Sequence, residues 1–271
     1  MKKIAVINDL SGFGRCSLTA AIPIISAMGF ECCPLPTAIL SNQTGYDSFF
    51  CDDYTDKMQR FIIEWKKLGV HFDAILTGYL ANYKQAEKII EFLNEFKAPD
   101  TLFLCDPVMA DDGKIYDTYN KQLCDEIKML SEAADIITPN LTELCILTGS
   151  NYCEAVKMNT NEIAELAKAL LTETLKTVIV TGVHQKDLIS NIIVTKDKYE
   201  VIASKAVGGS YSGTGDIFSS VVCGKILKGD SPFSAAKTAV EFLSRSIESS
   251  YKNNTDRNDG VDFQKYLEMI L

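Results

Sequence analysis

Histidine and tryptophan are nearly missing from this 271-residue chain: there are two histidines, His71 and His184, and a single tryptophan. The two histidines stand alone, which argues against a Ser-His-Asp or Cys-His catalyst and against a His-rich zinc site. No C-x-x-C occurs among the nine cysteines, and Cys32 and Cys33 are adjacent, a poor arrangement for one shared metal. The opening MKKIAVINDL has too short an apolar run for a signal peptide. With an odd cysteine count, it predicts reduced thiols packed mostly as small apolar side chains, and a cytoplasmic protein. Nowhere do 18 apolar residues run together, so no membrane-spanning helix is expected. Positive charge is also in short supply. The balance of 27 Lys and Arg against 36 Asp and Glu, net −9, argues against a surface built for nucleic acid or an anionic membrane.

What the chain does have is alternation. Short apolar runs (4–7, 74–77, 101–105, 135–138, 177–181 and 192–195) are separated by helix-period segments near 17–29, 53–69, 83–97, 118–131, 140–148 and 160–174. Several runs are continuously apolar rather than alternating, as in a parallel strand buried on both faces. The expectation is an α/β fold with a mostly parallel central sheet and helices on both faces. Residues 190–204 read as a small β-hairpin turning at Lys196-Asp197-Lys198, and 214–250 as two helices, the second opened by Ser231-Pro232. No linker, repeat or low-complexity stretch intervenes, so one domain spanning 1–271 is expected.

Ligands of parallel sheets bind beyond the carboxyl ends of the strands. The residues following the apolar runs are Asn8-Asp9-Leu10-Ser11-Gly12, Thr77-Gly78-Tyr79, Asp106-Pro107, Thr138-Pro139-Asn140 and Thr181-Gly182. Each could be turn chemistry, but five on one rim form a candidate site. The common nucleotide signatures are missing. No G-x-x-x-x-G-K-[ST] occurs, the glycine loop and H-R-D of protein kinases are absent, and Gly12-Phe13-Gly14-Arg15-Cys16-Ser17 has serine where a dinucleotide fingerprint needs its third glycine.

The stretch SYSGTGDIFSS, 210–220, supports two readings. In one, Ser212 or Thr214 caps a helix and Asp216 sits favourably in its first turn. In the other, the N–H groups of Gly213, Thr214 and Gly215 form an anion site with Asp216 beside it as a base. Transfer of a γ-phosphoryl group needs charge neutralisation, a metal bridge and a positioned hydroxyl. The glycine-flanked amides can supply the first, and the rim carboxylates Asp106 and Glu143 can hold Mg²⁺ directly or through water. Asp216 can take the proton of the acceptor hydroxyl, and the helix dipole predicts that its pKa is lowered. Asp106 can equally be a turn residue before Pro107, and Glu143 a first-turn acid behind an Asn140 cap.

Ser-Gly-Thr-Gly-Asp (212–216), DIITPNLTEL (135–144) with Leu147-Thr148-Gly149, and Cys105-Asp106-Pro107-Val108-Met109 together resemble the ribokinase-like small-molecule kinases. Ser41-Asn42-Gln43-Thr44-Gly45-Tyr46 and Leu76-Thr77-Gly78-Tyr79 resemble segments of the pyridoxal (vitamin B6) kinase branch, and the likeness runs in order over about residues 4–228. The resemblance implies that Asp216 is the base toward a 5′-hydroxymethyl group and that Gly213, Thr214 and Gly215 are the anion hole. It implies Asp106 and Glu143 at the metal and phosphates, Asn140 and Thr214 near the triphosphate, and Thr181 and Gly182 at the nucleotide. Thr44 and Tyr79 would line the ring pocket, and Asp111-Asp112-Gly113-Lys114 falls where such enzymes carry a flap over ATP. ATP, Mg²⁺, room for a monovalent cation and a homodimer are implied as well.

One departure concerns the first loop. Pyridoxal kinases usually carry Q-S-H there, whereas Asn8-Asp9-Leu10-Ser11-Gly12 is more like the D-P-S-G-G of hydroxymethylpyrimidine (phosphate) kinases. Asp9 and Ser11 then face the substrate, with Asp9 meeting the ring nitrogen or a ring substituent. The expected function is a vitamin B6 kinase, with a pyrimidine kinase of thiamine synthesis and a non-catalytic vitamin- or nucleotide-binding protein as alternatives.

Overall fold

The computed structural model describes residues 1–271. In chain order the elements are β1 (Lys3–Ser11), α1 (Ser17–Ala27), β2 (Glu31–Leu40), β3 (Cys51–Asp53), α2 (Thr55–Lys67), β4 (Ala74–Thr77), α3 (Lys84–Phe96), β5 (Leu102–Cys105), β6 (Ala110–Asp111) and β7 (Lys114–Ile115). There follow α4 (Lys121–Ala133), β8 (Ile136–Ile137), α5 (Leu141–Thr148), α6 (Tyr152–Ala155), α7 (Thr160–Lys168), β9 (Thr177–Gln185), β10 (Leu188–Thr195), β11 (Tyr199–Lys205), α8 (Thr214–Leu227) and α9 (Pro232–Lys252).

Nine strands form one sheet in the order β11-β10-β9-β8-β5-β4-β1-β2-β3. From β2 to β9 the neighbours are parallel, while β3, β10 and β11 add antiparallel edges. Successive side chains of a strand point to opposite faces, and here both faces are buried. Ala5, Ile7, Ile75, Phe103 and Val178 pack under one helical layer; Ile4, Val6, Leu76, Leu104 and Ile179 pack under α1, α8 and α9. That is why the central runs read as continuously apolar. The 190–204 hairpin exists as β10 and β11, but it continues the main sheet through β9. Ser231 caps α9 by accepting the Ser234 N–H, with Pro232 in the first turn.

Three features depart from the sequence reading. β2, hidden by Pro34 and Pro36, is a full member of the sheet. The prolines are two apart, so both missing N–H groups fall on one edge, and β3 covers only Ala38–Leu40. β1 does not end at Ile7: Asn8, Asp9 and Ser11 lie within the strand, at a register shift against β2. Likewise Thr181 and Gly182 lie inside β9 rather than after it. The parallel ladder with β8 ends at Val178 and an isolated bridge joins Thr181 to Asn140, but antiparallel pairing with β10 carries the strand on to Gln185.

Candidate active site

The five expected strand ends do meet at one edge of the sheet, and α8 begins there. Its N-cap is Gly213, in the left-handed region at φ +80°, with no side-chain cap. Neither Ser212 nor Thr214 caps the helix, and the Thr214 hydroxyl donates instead to the Tyr211 carbonyl at 3.2 Å. A Cβ at position 213 would stand 2.1 Å from the Arg15 carbonyl oxygen, so the loop closes only around glycine. No protein acceptor meets the N–H groups of Gly213, Thr214 and Gly215. The helix start is an open row of donors at a positive dipole end, which suits a phosphate.

Asp216, in the first turn of α8, is held by two donors. Its Oδ1 accepts Asn8 Nδ2 at 2.8 Å and its Oδ2 accepts the Ser17 N–H at 2.8 Å. Ser17 opens α1 at φ +47°, an uncommon conformation for a non-glycine residue. The Asn8 side chain joins the site together, because its Oδ1 also accepts the N–H groups of Asp9 and Tyr79, both at 2.9 Å. Gly78 leaves Asn8 this position: a Cβ there would lie 2.4 Å from Asn8 Nδ2. The expected lowering of the Asp216 pKa is reversed. Burial raises its carboxyl above the ordinary value, outweighing the Ser17 and Asn8 donors.

Asp106 follows β5 and is buried; burial first, then the nearby Asp216 charge, pushes its carboxyl up to about 7. Glu143 is buried too and stands well above its usual range, through burial and the Asp106 charge. The capping reading of Glu143 is the one the hydrogen bonds show. It forms a capping box with Asn140, accepting the Asn140 N–H at 2.9 Å on Oε2, and it accepts the Met109 N–H at 3.0 Å on Oε1. Each oxygen keeps a further lone pair, so the glutamate is anchored and still able to face a cation. No group of three or more His, Cys, Asp or Glu forms a self-sufficient metal cage. Two hard carboxylates do fit Mg²⁺, which commonly takes one or two protein ligands and completes its shell with water and phosphate oxygens. The buried Thr138 hydroxyl has no hydrogen-bond partner, although it lies beside Asp106.

The remaining expected residues divide. Asn140 Nδ2 donates to the Ala110 carbonyl at 2.7 Å, tying α5 to the β6–β7 hairpin. Thr181 donates its N–H to Pro139 at 2.8 Å, beside Asn140, and Gly182 is an exposed left-handed position at φ +65°. The Asp111–Lys114 stretch is the tip of the β6–β7 hairpin, with the Gly113 N–H on Thr142 Oγ1 at 2.9 Å. Asp9 is buried and accepts the Ser11 hydroxyl at 2.8 Å; burial pushes its carboxyl up to about 6. Tyr79 lies half-buried against Tyr119, ring centroids 5.7 Å apart. Thr44 is exposed, and no hydrogen bond draws it to the others.

Sequence reading assigned no individual role to three residues of the site. Asn8 and Ser17 carry no chemical motif, and their role appears only when β1, α1 and α8 meet. Tyr116, just past β7, has a phenol raised by burial and by the surrounding Glu143, Asp111, Asp106 and Asp216.

A buried carboxylate beside unpartnered helix amides, with two more carboxylates alongside, can position a hydroxyl for attack on an anionic phosphoryl group. Known proteins agree with that chemistry. A pyridoxal kinase of Aliivibrio fischeri is 29% identical over 264 residues, covering 87% of this chain and 84% of the relative. A Bacteroides thetaiotaomicron protein, provisionally named a phosphomethylpyrimidine kinase and crystallised with pyridoxal, is 39% identical. It superposes with a TM-score of 0.95 over 99% of this chain and 95% of that one. The pyridoxal kinase of Lactobacillus plantarum is 27% identical, with a TM-score of 0.91 over 100% and 97% of the two chains. The profile of the phosphomethylpyrimidine kinases matches residues 16–260, nearly the whole chain. With its ribokinase-like fold and a phosphate-ready α8, this chain is a kinase and belongs to the phosphomethylpyrimidine kinase family.

Proposed function

We propose that the protein phosphorylates the 5′-hydroxymethyl group of pyridoxal, pyridoxamine and pyridoxine with ATP and Mg²⁺, acting as one domain over residues 1–271. The observation that carries this reading is the Asp216 carboxylate, fixed by Asn8 and Ser17 next to the free amides of Gly213, Thr214 and Gly215. The Aliivibrio and Lactobacillus pyridoxal kinases, and the pyridoxal bound to the Bacteroides protein, support the ring class.

In this mechanism Asp216 accepts a hydrogen bond from the substrate hydroxyl and takes its proton as the oxygen attacks the γ-phosphorus of ATP. Burial raises its carboxyl above the ordinary value, which makes it a stronger base than an exposed aspartate. The amides of residues 213–215 hold the phosphoryl oxygens as charge builds on them. Asp106, with Glu143 behind it, would hold Mg²⁺, which neutralises phosphate charge when bound. Asn140, Thr181 and Gly182 border the nucleotide. Asp9 and Ser11 receive the ring nitrogen or its hydroxyl, and Tyr79 covers the ring.

A second reading, phosphorylation of hydroxymethylpyrimidine, is favoured by Asp9 standing where pyridoxal kinases carry serine and by the family profile. Incubation with Mg-ATP and each of pyridoxal, pyridoxamine, pyridoxine and hydroxymethylpyrimidine tests both. Pyridoxal 5′-phosphate and its relatives are the expected products. Turnover of the pyrimidine alone overturns the B6 reading, and no product from any of the four leaves only a binding protein.

The carboxylates also make stability depend on pH and on metal. Asp106 rises from 3.8 to about 7 on folding, and Glu143 and Asp216 are raised as well. Their ionisation is disfavoured in the folded state, so this contribution is present below pH 4 and is lost as pH climbs toward 7. A divalent cation counters that loss only where the carboxylates are ionised. Mg²⁺ added to the ADP-bound protein should therefore raise Tm more at about pH 8 than at about pH 5.5. Equal gains in differential scanning fluorimetry at the two pH values would remove Asp106 and Glu143 from the metal site.

A further inference from the structure

The last part of the chain has no role in the reading above, yet it reaches the site. After α9, residues Asp256–Asp262 cross back over the start of α1, with a short 3-10 turn at Arg257–Asp259. Val261 and Phe263, both fully buried, anchor the segment in the core. Hydrogen bonds then run from this strap to three separate loops. The Asp259 carbonyl accepts the Arg15 N–H at 3.0 Å, and the Arg15 guanidinium pairs with Asp262 at 2.8 Å. The Arg257 carbonyl accepts the Ser212 N–H at 3.1 Å, one residue before the open amides. The Asn258 carbonyl accepts Gln43 Nε2 at 3.2 Å, and Asn258 Nδ2 donates to the Gly45 carbonyl at 3.0 Å. The Tyr46 hydroxyl donates to the Asp259 carboxylate. Packing here is tight: a Cβ at Gly260 would stand 2.8 Å from the Arg15 carbonyl oxygen, against which Gly213 also closes.

We infer that the strap Asp256–Asp262 is a positioning element of the active site, setting the 41–46 loop, the start of α1 and the 209–213 phosphate loop against one another. This gives a purpose to Gln43, Gly45 and Tyr46, whose segment otherwise contributes only Thr44 to the ring side. The lever is short at each end. Arg15 lies two residues before Ser17, whose N–H fixes Asp216, and Ser212 directly precedes Gly213. Displacing reacting groups by about 1 Å costs on the order of 10²-fold in rate, so small slippage at the strap is felt at Asp216. Asn258 and Asp259 are the positioning residues, and both are half-buried, so altering their contacts opens no core cavity.

The inference rests on the vitamer-kinase reading for its substrate, and its test separates the two. Asn258→Ala removes only the bond to Gly45, and Tyr46→Phe only the bond to Asp259; neither touches the phosphate loop. Each should raise KM for pyridoxal roughly threefold to tenfold, as a lost hydrogen bond does, with Tm nearly unchanged. The discriminating readout is hydrogen exchange at 209–216, which should quicken in both variants and most in the double variant. A wild-type exchange rate there in the double variant overturns the strap. A wild-type enzyme that turns over no vitamer overturns the function, while the exchange measurement still decides the strap.

Discussion

Asp216→Ala lowers kcat for vitamer phosphorylation by roughly 10²–10⁴-fold, the usual worth of a positioned general base, and leaves vitamer binding largely intact. The expectation follows from what Asp216 touches. Its two protein partners are the Asn8 amide and the Ser17 N–H, so it serves the fold only through donors that water can satisfy once the carboxylate is gone. Burial raises its carboxyl, so its ionisation is disfavoured in the folded state and works against stability as pH rises. Removing it should leave Tm unchanged or slightly higher at about pH 8, a trade of stability for chemistry. Steady-state kinetics with pyridoxal, titration of vitamer binding and thermal melts measure all three. Turnover within tenfold of wild type means that the proton leaves by another route.

Gly213→Ala should damage the fold and the chemistry together. The residue sits at φ +80°, and an alanine Cβ would meet the Arg15 carbonyl at 2.1 Å and Cys16 Cα at 2.8 Å. Both are backbone atoms, so the α1 start and the phosphate loop must part. Left-handed strain alone costs about 1–3 kcal/mol, so Tm should fall by roughly 3–10 °C, with the overlap adding to it. Misaimed amides should cost a further factor of about 10²–10³ in kcat. Gly215→Ala supplies the contrast. There an added Cβ meets only Asp106 Oδ2, at 3.6 Å, within a normal helical turn. Its Tm should stay near wild type while the methyl group crowds the phosphate. A Gly213→Ala protein that melts and turns over like wild type would show that the loop is not pinned at Arg15.

The central strands and most of the helices were legible because burial on both faces and helix periodicity are local signals. β2 was not, because two prolines in ten residues read as a break until β1 supplies the ladder that tolerates them. Asp106, Glu143 and Asp216 could be placed since polar residues at strand ends share one edge of a parallel sheet. The sign of the Asp216 shift could not, because the dipole is visible in the sequence while the burial that outweighs it is tertiary. Asn8 shows the same limit: an asparagine near a strand end looks like punctuation until Gly78, Tyr79 and Asp216 surround its amide. The Glu143 cap was legible because an Asn with Glu three residues on is a local signal, whereas its nearness to the Asp106 charge is tertiary.

The strap carries a consequence for how the chain matures. The hydrogen bonds from Gln43 to Asn258 and from Arg15 to Asp259 and Gly260 join residues 215 to 245 positions apart. Contacts that distant in sequence cannot form before residues 258–260 have been added, and non-local contacts of this kind slow folding. On the ribosome, β1, β4 and β5 can pair long before residue 257 has been added. A chain that has not yet reached residue 257 therefore has the strands of its sheet but lacks the hydrogen bonds that tie Ser212 and Arg15 to the strap.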